Sequence, residues 1–381
     1  MIDRKLAAWG EAGLIDAQTA AAIRAYEASH ARPVALWAVI GIGALAIGLG
    51  VISVVAANWE DVPGTVRLAI HLAVMVALGG WLAWRGEALE RAQPWGLEAG
   101  LFVLGALGLA FFGHLGQVYQ TSSPLWQPLA TWLVLFAPLT LLRGQSWLTA
   151  LLLMGALVVA CWDYAAAYLA MFLGRENLPY PWIAFVTSLP LALAPLAAWW
   201  RERSERRAFW KRLEQLALVY AVGGASLTCI AAGIDEFDDH IFSFASQAIR
   251  GGVALAAAAL VAAGRRRRSG EASAAILAGA GLASIVAVPL SGSDLLGGVL
   301  FMALWVGIAA AALHAGWRGV FQLAVAVIAL RLIVLSFELA SDLLTSGFGL
   351  ILAGLLILGV AWIAVRVSRR FAPPRAPEEA A

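Results

Sequence analysis

Beyond Pro33 the chain is a quick succession of apolar runs separated by short polar connections. The runs cover 34–56, 66–84, 95–113, 125–142, 147–162, 181–200, 213–233, 248–264, 274–290, 296–315, 320–336 and 347–365. Each is about the length a helix needs to cross roughly 30 Å of hydrocarbon, the shorter ones with help from apolar flanks. The pattern predicts an all-α fold: a polytopic transmembrane helical bundle of about twelve spans over residues 34–366. The stretch from Asp163 to Leu173 stays hydrophobic and is a candidate to dip back into the membrane.

Residues 1–33 are patterned differently. Ile2, Leu6 and Trp9 fall at helical spacing, Gly13 is placed to stop that helix, and Asp16 is placed to cap a second one carrying Ala20, Ile23 and Tyr26. This predicts a short helical hairpin, too small for a core of its own. At the other end, 367–381 holds Pro373, Pro374, Pro377, Glu378 and Glu379 and is expected to be a disordered tail.

Composition agrees with the pattern. Hydrophobic residues are 62% of the chain and charged residues 13%, against globular norms of roughly 45–50% and 25%. So few charges cannot cover a water-facing surface, and mean hydropathy is +0.82. Lipid is the expected partner, and a net charge of +2 gives no reason to expect nucleic acid. The two cysteines, Cys161 and Cys229, lie far apart in apolar runs, which excludes a disulfide framework. The first apolar run follows a polar, mixed-charge stretch and is too long for a signal-peptide core, so it is read as a membrane helix.

The distribution of charge sets a direction. With the N-terminus inside, the cytoplasmic segments hold Arg4, Lys5, Arg24 and Arg32; Arg85 and Arg91; Arg143; the cluster from Arg201 to Arg212; Arg265 to Arg268; Arg318; and Arg366, Arg369, Arg370 and Arg375. Only Arg67, Arg175 and Arg250, at or near span ends, fall outside, with Arg331 inside a span. The positive-inside rule then puts both termini in the cytoplasm. The outer connections are acidic, with Glu60, Asp61, Asp163 and the run Asp235 to Asp239, and tryptophans such as Trp81, Trp126, Trp147 and Trp200 sit at span ends. The basic connection from Arg201 to Arg212 divides the spans six and six, without residue-level similarity between the halves.

Motifs for catalysis, cofactors or metals are absent from the sequence. Gly41, Gly43, Gly48 and Gly50 lie within a span with no preceding strand, and fit helix packing rather than nucleotide binding, as do Ala106 and Ala110. The five histidines show no metal-ligand spacing. Glu98 begins its span near the cytoplasmic interface, within reach of water. Arg331 lies about two-thirds through its span, where a charge needs a partner. The richest polar grouping lies on the outer side: Asn58, Glu60 and Arg67 around one connection, and His114, Gln117, Tyr119, Gln120 and Thr121 around the next. Donors, acceptors and aromatic faces together suit a ligand pocket, with Asn58, Glu60, Arg67, His114, Gln117, Tyr119 and Arg331 as its candidate residues.

The pattern Trp9, Gly13-Leu14-Ile15-Asp16, Ile23, Tyr26-Glu27, the run Asn58-Trp59-Glu60 with Pro63 and Arg67, and the run Gly116 to Thr121 with Leu125-Trp126 resemble the bacterial predicted membrane proteins of domain of unknown function 2157. The resemblance covers roughly the first 145 residues. It implies a bacterial inner-membrane protein and brings no catalytic residue. Three functions compete. One is transport or binding of a small ligand in the outer-side pocket. The second is a non-transporting sensor, scaffold or assembly partner, with the N-terminal hairpin as the docking piece for a protein. The third is a membrane enzyme acting on lipid or glycan, for which Asp163, His114 and Glu60 are the best-placed groups.

Overall fold

The computed structural model describes residues 6, 9, 12–30, 46, 62–92, 94–172, 180–233, 243–265, 267–290, 292–339 and 347–371. The regular structure among them is helical. By its internal contacts the chain forms two compact units, Met1–Arg67 and Leu68–Ala381.

In the first unit, Gly13 takes a left-handed φ of +66° and the Leu14 N–H bonds the Trp9 carbonyl at 2.9 Å. That six-to-one bond is a Schellman stop, which needs a residue without a Cβ at the left-handed position. Asp16 then accepts from the Thr19 N–H at 2.7 Å and caps α1, Ala17–His30. Most of the expected first hairpin helix, and the span 34–56, lie outside the described residues.

The helices that follow are α2 (Gly64–Ala92), α3 (Pro94–Tyr119), α4 (Trp126–Arg143), α5 (Trp147–Ala170), α6 (Tyr180–Arg203), α7 (Arg207–Ala231), α8 (Phe244–Gly264), α9 (Arg268–Ala287), α10 (Asp294–Ala315), α11 (Arg318–Leu339) and α12 (Gly347–Phe371). Eight of these, α2, α3 and α5 to α10, are long and apolar enough to cross a membrane. The expected spans 125–142, 320–336 and 347–365 coincide with α4, α11 and α12. Residues 163–170 continue α5 as one helix rather than dipping back. The Asp163 carboxylate reaches across to accept the Trp126 N–H at 2.7 Å, capping the start of α4. Large side chains such as Val134, Val219, Leu227, Leu260 and Ile351 are exposed along the helices, the expected face for lipid.

Packing follows residue size. The core of α6 to α11 is dominated by alanine, including Ala194, Ala217, Ala254, Ala280 and Ala312. Where α8 meets α9, a Cβ on Gly251 would lie 2.6 Å from the Gly281 carbonyl, and one on Gly281 would lie 2.8 Å from the Gly251 carbonyl. Only glycine permits that approach. On α3 close contacts fall at Gly105 and Gly108, against Leu152 and Phe136, while Ala106 is half-buried and Ala110 exposed. Helix α7 packs against α5, α6, α9 and α10, so the bundle does not part at the basic connection that precedes it.

The basic ends of the helices meet in one hydrogen-bonded layer. Arg206 donates to the Gly144 carbonyl at 3.0 Å and the Leu141 carbonyl at 2.6 Å, and Arg212 donates to the Gln145 carbonyl. These satisfy carbonyls that the end of α4 leaves without helical partners. Burial pushes the Arg206 guanidinium below its ordinary value; Arg143 adds to that, while Glu90 and Glu98 oppose it. Gly144 allows the close fit, because a Cβ there would lie 2.5 Å from the Thr140 carbonyl and 2.9 Å from Phe209. Glu98 does not reach water as the sequence suggested. It is 2% exposed, accepting from the Gln145 N–H and from the Thr149 hydroxyl at 3.0 Å. Through α7 the layer continues to Glu214, which accepts from Arg201 at 2.9 Å, Ser273 at 2.6 Å and Arg265. Arg265 also donates to Glu202 at 3.1 Å. The connected groups lie at the C-terminal ends of α2, α4, α6 and α8 and the N-terminal ends of α3, α5, α7 and α9, so consecutive helices run in alternating directions.

Candidate functional site

The expected outer-side residues fall in several places. Asn58 and Glu60 lie outside the described residues. Arg67 is in the first turn of α2, within the first compact unit. Gln117 and Thr121 line a groove of about 960 Å³ between α3, α4 and α5. Tyr119 is the last residue of α3 and is exposed. Arg331 lies on α11 with its guanidinium 5.9 Å from the centre of the Phe301 ring on α10. Gln120, in the family-like run, is the non-glycine residue with a left-handed φ, +53°, among the described residues. Its side chain donates to the Gln117 carbonyl at 2.8 Å, and the Thr121 N–H bonds the Gly116 carbonyl at 3.0 Å, which closes α3 as Gly13 closes the earlier turn.

His114 meets a partner that linear spacing could not reveal. Its Nδ1 lies 3.4 Å from Nδ1 of His71 on α2, and His71 Nε2 lies 3.1 Å from the Leu107 carbonyl. A carbonyl only accepts, so in the neutral pair His71 carries its proton on Nε2 and His114 donates through Nδ1. The rings of His71 and Phe111 also meet at right angles, 5.3 Å between centres.

A more enclosed site lies between α5, α6, α7, α8 and α9. It is a cavity of about 740 Å³, within the usual range for small-molecule sites, about 300–1,000 Å³. Helix α8 begins at Ser243, whose hydroxyl accepts from the Ser246 N–H. The sequence reading started this span at 248 and left Arg250 near its end. The helix starts at Phe244, so Arg250 lies seven residues beyond the cap, roughly 10 Å along the axis, and lines the cavity together with Gln247. Arg250 makes no hydrogen bond or ion pair with any described residue, and Tyr220 is the titratable group that acts on it. Gln247 is 1% exposed, and its buried Oε1 has no partner.

The opposite wall is a break in α6. Residues Leu189–Ala192 form a 3-10 turn containing Pro190, which has no N–H to donate to the preceding turn. In the turn before the break, Ser188 donates to the Ala184 carbonyl at 2.7 Å and Thr187 to the Ile183 carbonyl at 2.8 Å. Tyr220 donates to the Thr187 carbonyl at 2.5 Å and accepts from Trp162 at 2.9 Å, a chain that ties α5, α7 and α6 together. Thr187, Ser188, Tyr220 and Trp162 all line the cavity. Tyr220 is a single polar residue in an otherwise apolar stretch, and Gln247 and Arg250 stand where the apolar run only begins, so neither pattern marks a site. The serine cap at Ser243 was the signal that would have moved Arg250 inward.

The fold therefore defines a multi-pass helical membrane protein with a polar-tipped cavity among its apolar helices. The family described as predicted membrane protein (DUF2157) matches residues 7–149, the N-terminal part of the chain. No curated protein matches the chain, and no solved structure does. Every residue lining the α5–α9 cavity lies beyond the matched region.

Proposed function

We propose that this chain is a twelve-span protein of the bacterial inner membrane, with both ends in the cytoplasm, that binds a small ligand in the α5–α9 cavity and handles it from the outer half of the bilayer. The observation that carries this reading is Arg250, a guanidinium without an ion-pair partner among the described residues, at the wall of a cavity of about 740 Å³. Ionisable groups inside membrane helices are expensive and mark ligand paths. The broken α6 beside it supports the same reading, since discontinuous helices build the midplane sites of transporters. Alternating helix directions and the layer of arginines at one end support the orientation. The groove carrying Gln117 is a second surface in the same half. The enzyme reading has less support: Asp163 caps α4 and His114 is turned toward His71. A docking role for residues 1–33 is favoured by the separate unit they belong to and by the exposed Tyr26 on α1.

Two measurements test it. With Cys161 and Cys229 replaced, a cysteine introduced at Ser122 should react with an impermeant maleimide from the outside, and one at Ser204 only after permeabilisation; the reverse pattern overturns the orientation. A metabolite, ion and lipid library should contain a compound that raises the melting temperature of the purified chain but not of Arg250→Ala. Shifts that survive in Arg250→Ala, or a flat library, overturn the cavity as the ligand site and favour the docking role.

A further inference from the structure

We propose that the ligand is a single-chain anionic amphiphile: one compact anionic head, a carboxylate or phosphate monoester, held by Arg250 and Gln247, with a hydrocarbon tail along the rest of the cavity. This rests on the reading of the cavity as a ligand site. The charge argument comes first. A guanidinium with no ion pair among the described residues, set in the flank of a membrane helix, is stabilised most by an anion that the ligand itself brings. Gln247 lies three residues before Arg250 on the same cavity-lining face of α8. A half-turn of its carboxamide exchanges oxygen and nitrogen, so the buried end without a partner can present an N–H to an anion.

The remaining polar groups of the wall are already committed as donors. Thr187, Ser188, Thr228 and Ser284 donate to carbonyls of their own helices, and Tyr220 donates to Thr187. Uncommitted donors are therefore concentrated at one point, which suits one head group and leaves a sugar or peptide largely unsatisfied. The rest of the wall is apolar, as at Leu191, Ala225 and Ala254.

The route is sideways. Val219 and Leu227 border the cavity on α7 and are each 68% exposed. Between them, Gly223 and Gly224 line it without side chains, and a Cβ at either would meet nothing within 4 Å. This slot is in the flank of a membrane-crossing helix, not at its end, so it faces hydrocarbon. A ligand arriving that way must be soluble in lipid, which an amphiphile is and a free phosphate is not.

The test uses the full chain in phosphatidylcholine nanodiscs. Dodecanoate and dodecyl phosphate are compared with dodecanol and dodecyltrimethylammonium, and with acetate and inorganic phosphate, in equilibrium binding. The expected result is saturable binding of one or both anionic chains, weakened about ten-fold or more by Arg250→Gln and abolished by Gly224→Phe. Leu323→Phe, at an exposed position of α11 outside the cavity lining, should bind normally, and melting temperatures of Arg250→Gln and Gly224→Phe close to the parent's control for folding. Equal binding of dodecanol, or unchanged affinity in Arg250→Gln, overturns the anionic head. Acetate or phosphate binding as tightly as the long chains overturns the tail while leaving an anion site. If no amphiphile binds but a library compound still loses its thermal shift in Arg250→Ala, the ligand class is wrong and the cavity reading stands; if neither occurs, both fail.

Discussion

Arg265 donates through one guanidinium nitrogen to both carboxylate oxygens of Glu214, at 3.1 and 3.0 Å, and both residues are buried, at 5% and 2% exposure. Arg201 and Ser273 complete the shell around that carboxylate. Four helices, α6, α7, α8 and α9, are bound through it or directly beside it.

Removing the carboxylate leaves the buried Arg265 with only the more exposed Glu202 as its counter-charge. Glu214→Ala is expected to destabilise the chain by about 3–5 kcal/mol, read as a lower melting temperature and a lower yield of monodisperse protein in detergent. The double variant Glu214→Leu with Arg265→Met should recover part of the loss, since paired replacement of a buried ion pair by apolar residues is often close to neutral. A single Glu214→Ala variant as stable as the parent would show that water screens the pair.

Gln120 closes α3 in a left-handed conformation that side chains with a Cβ resist. Gln120→Gly is expected to keep or raise the melting temperature. Gln120→Val, β-branched at the same φ, should fall below the glycine variant by roughly 1–2 kcal/mol. Equal stability of the two would mean that the turn does not hold this conformation in the membrane. A glycine variant that is stable yet inactive would give the Gln120 side chain a part in function.

Asp16 makes α1 sensitive to acid. Its hydrogen bonds with Thr19 hold the carboxyl below the usual value of 3.8. Because the folded value is the lower one, the contribution of the cap is present above the unfolded value and is lost as pH falls through the folded one. The Thr19 amide shift, followed by NMR on acidification, should therefore titrate with a midpoint below 3.8. Asp16→Asn should abolish that titration while keeping the cap. A midpoint at or above 3.8 would contradict the cap.

Much of this architecture could be read from the chain because helix placement in lipid is governed by lengths of apolar sequence, and lengths survive without any knowledge of neighbours. The glycine stop at Gly13, the cap at Asp16 and the helices beyond Pro63 are of that kind. What escaped depends on proximity. Glu98 seemed wet because it stands at a span end, yet the turn after α4 folds over it. His71 and His114 are 43 residues apart in sequence and meet only because α2 and α3 lie side by side. Arg250 was placed too near the rim because hydropathy marks where a helix becomes apolar, whereas the hydroxyl of Ser243 marks where it begins. The family match over 7–149 could not help with the cavity, which is built from later helices.

The alanine-rich seam of α6 to α11 has a mechanical consequence. A methyl group has no rotamers, so a seam of alanines cannot widen or narrow by turning side chains. Any change in the spacing of that seam must be made by sliding or tilting whole helices. A place where backbone can yield is the proline-bearing turn of α6, beside which the Thr187 carbonyl is taken by Tyr220. The seam is in this respect a set of stiff rods with a softened joint in α6, and that joint lies against the cavity.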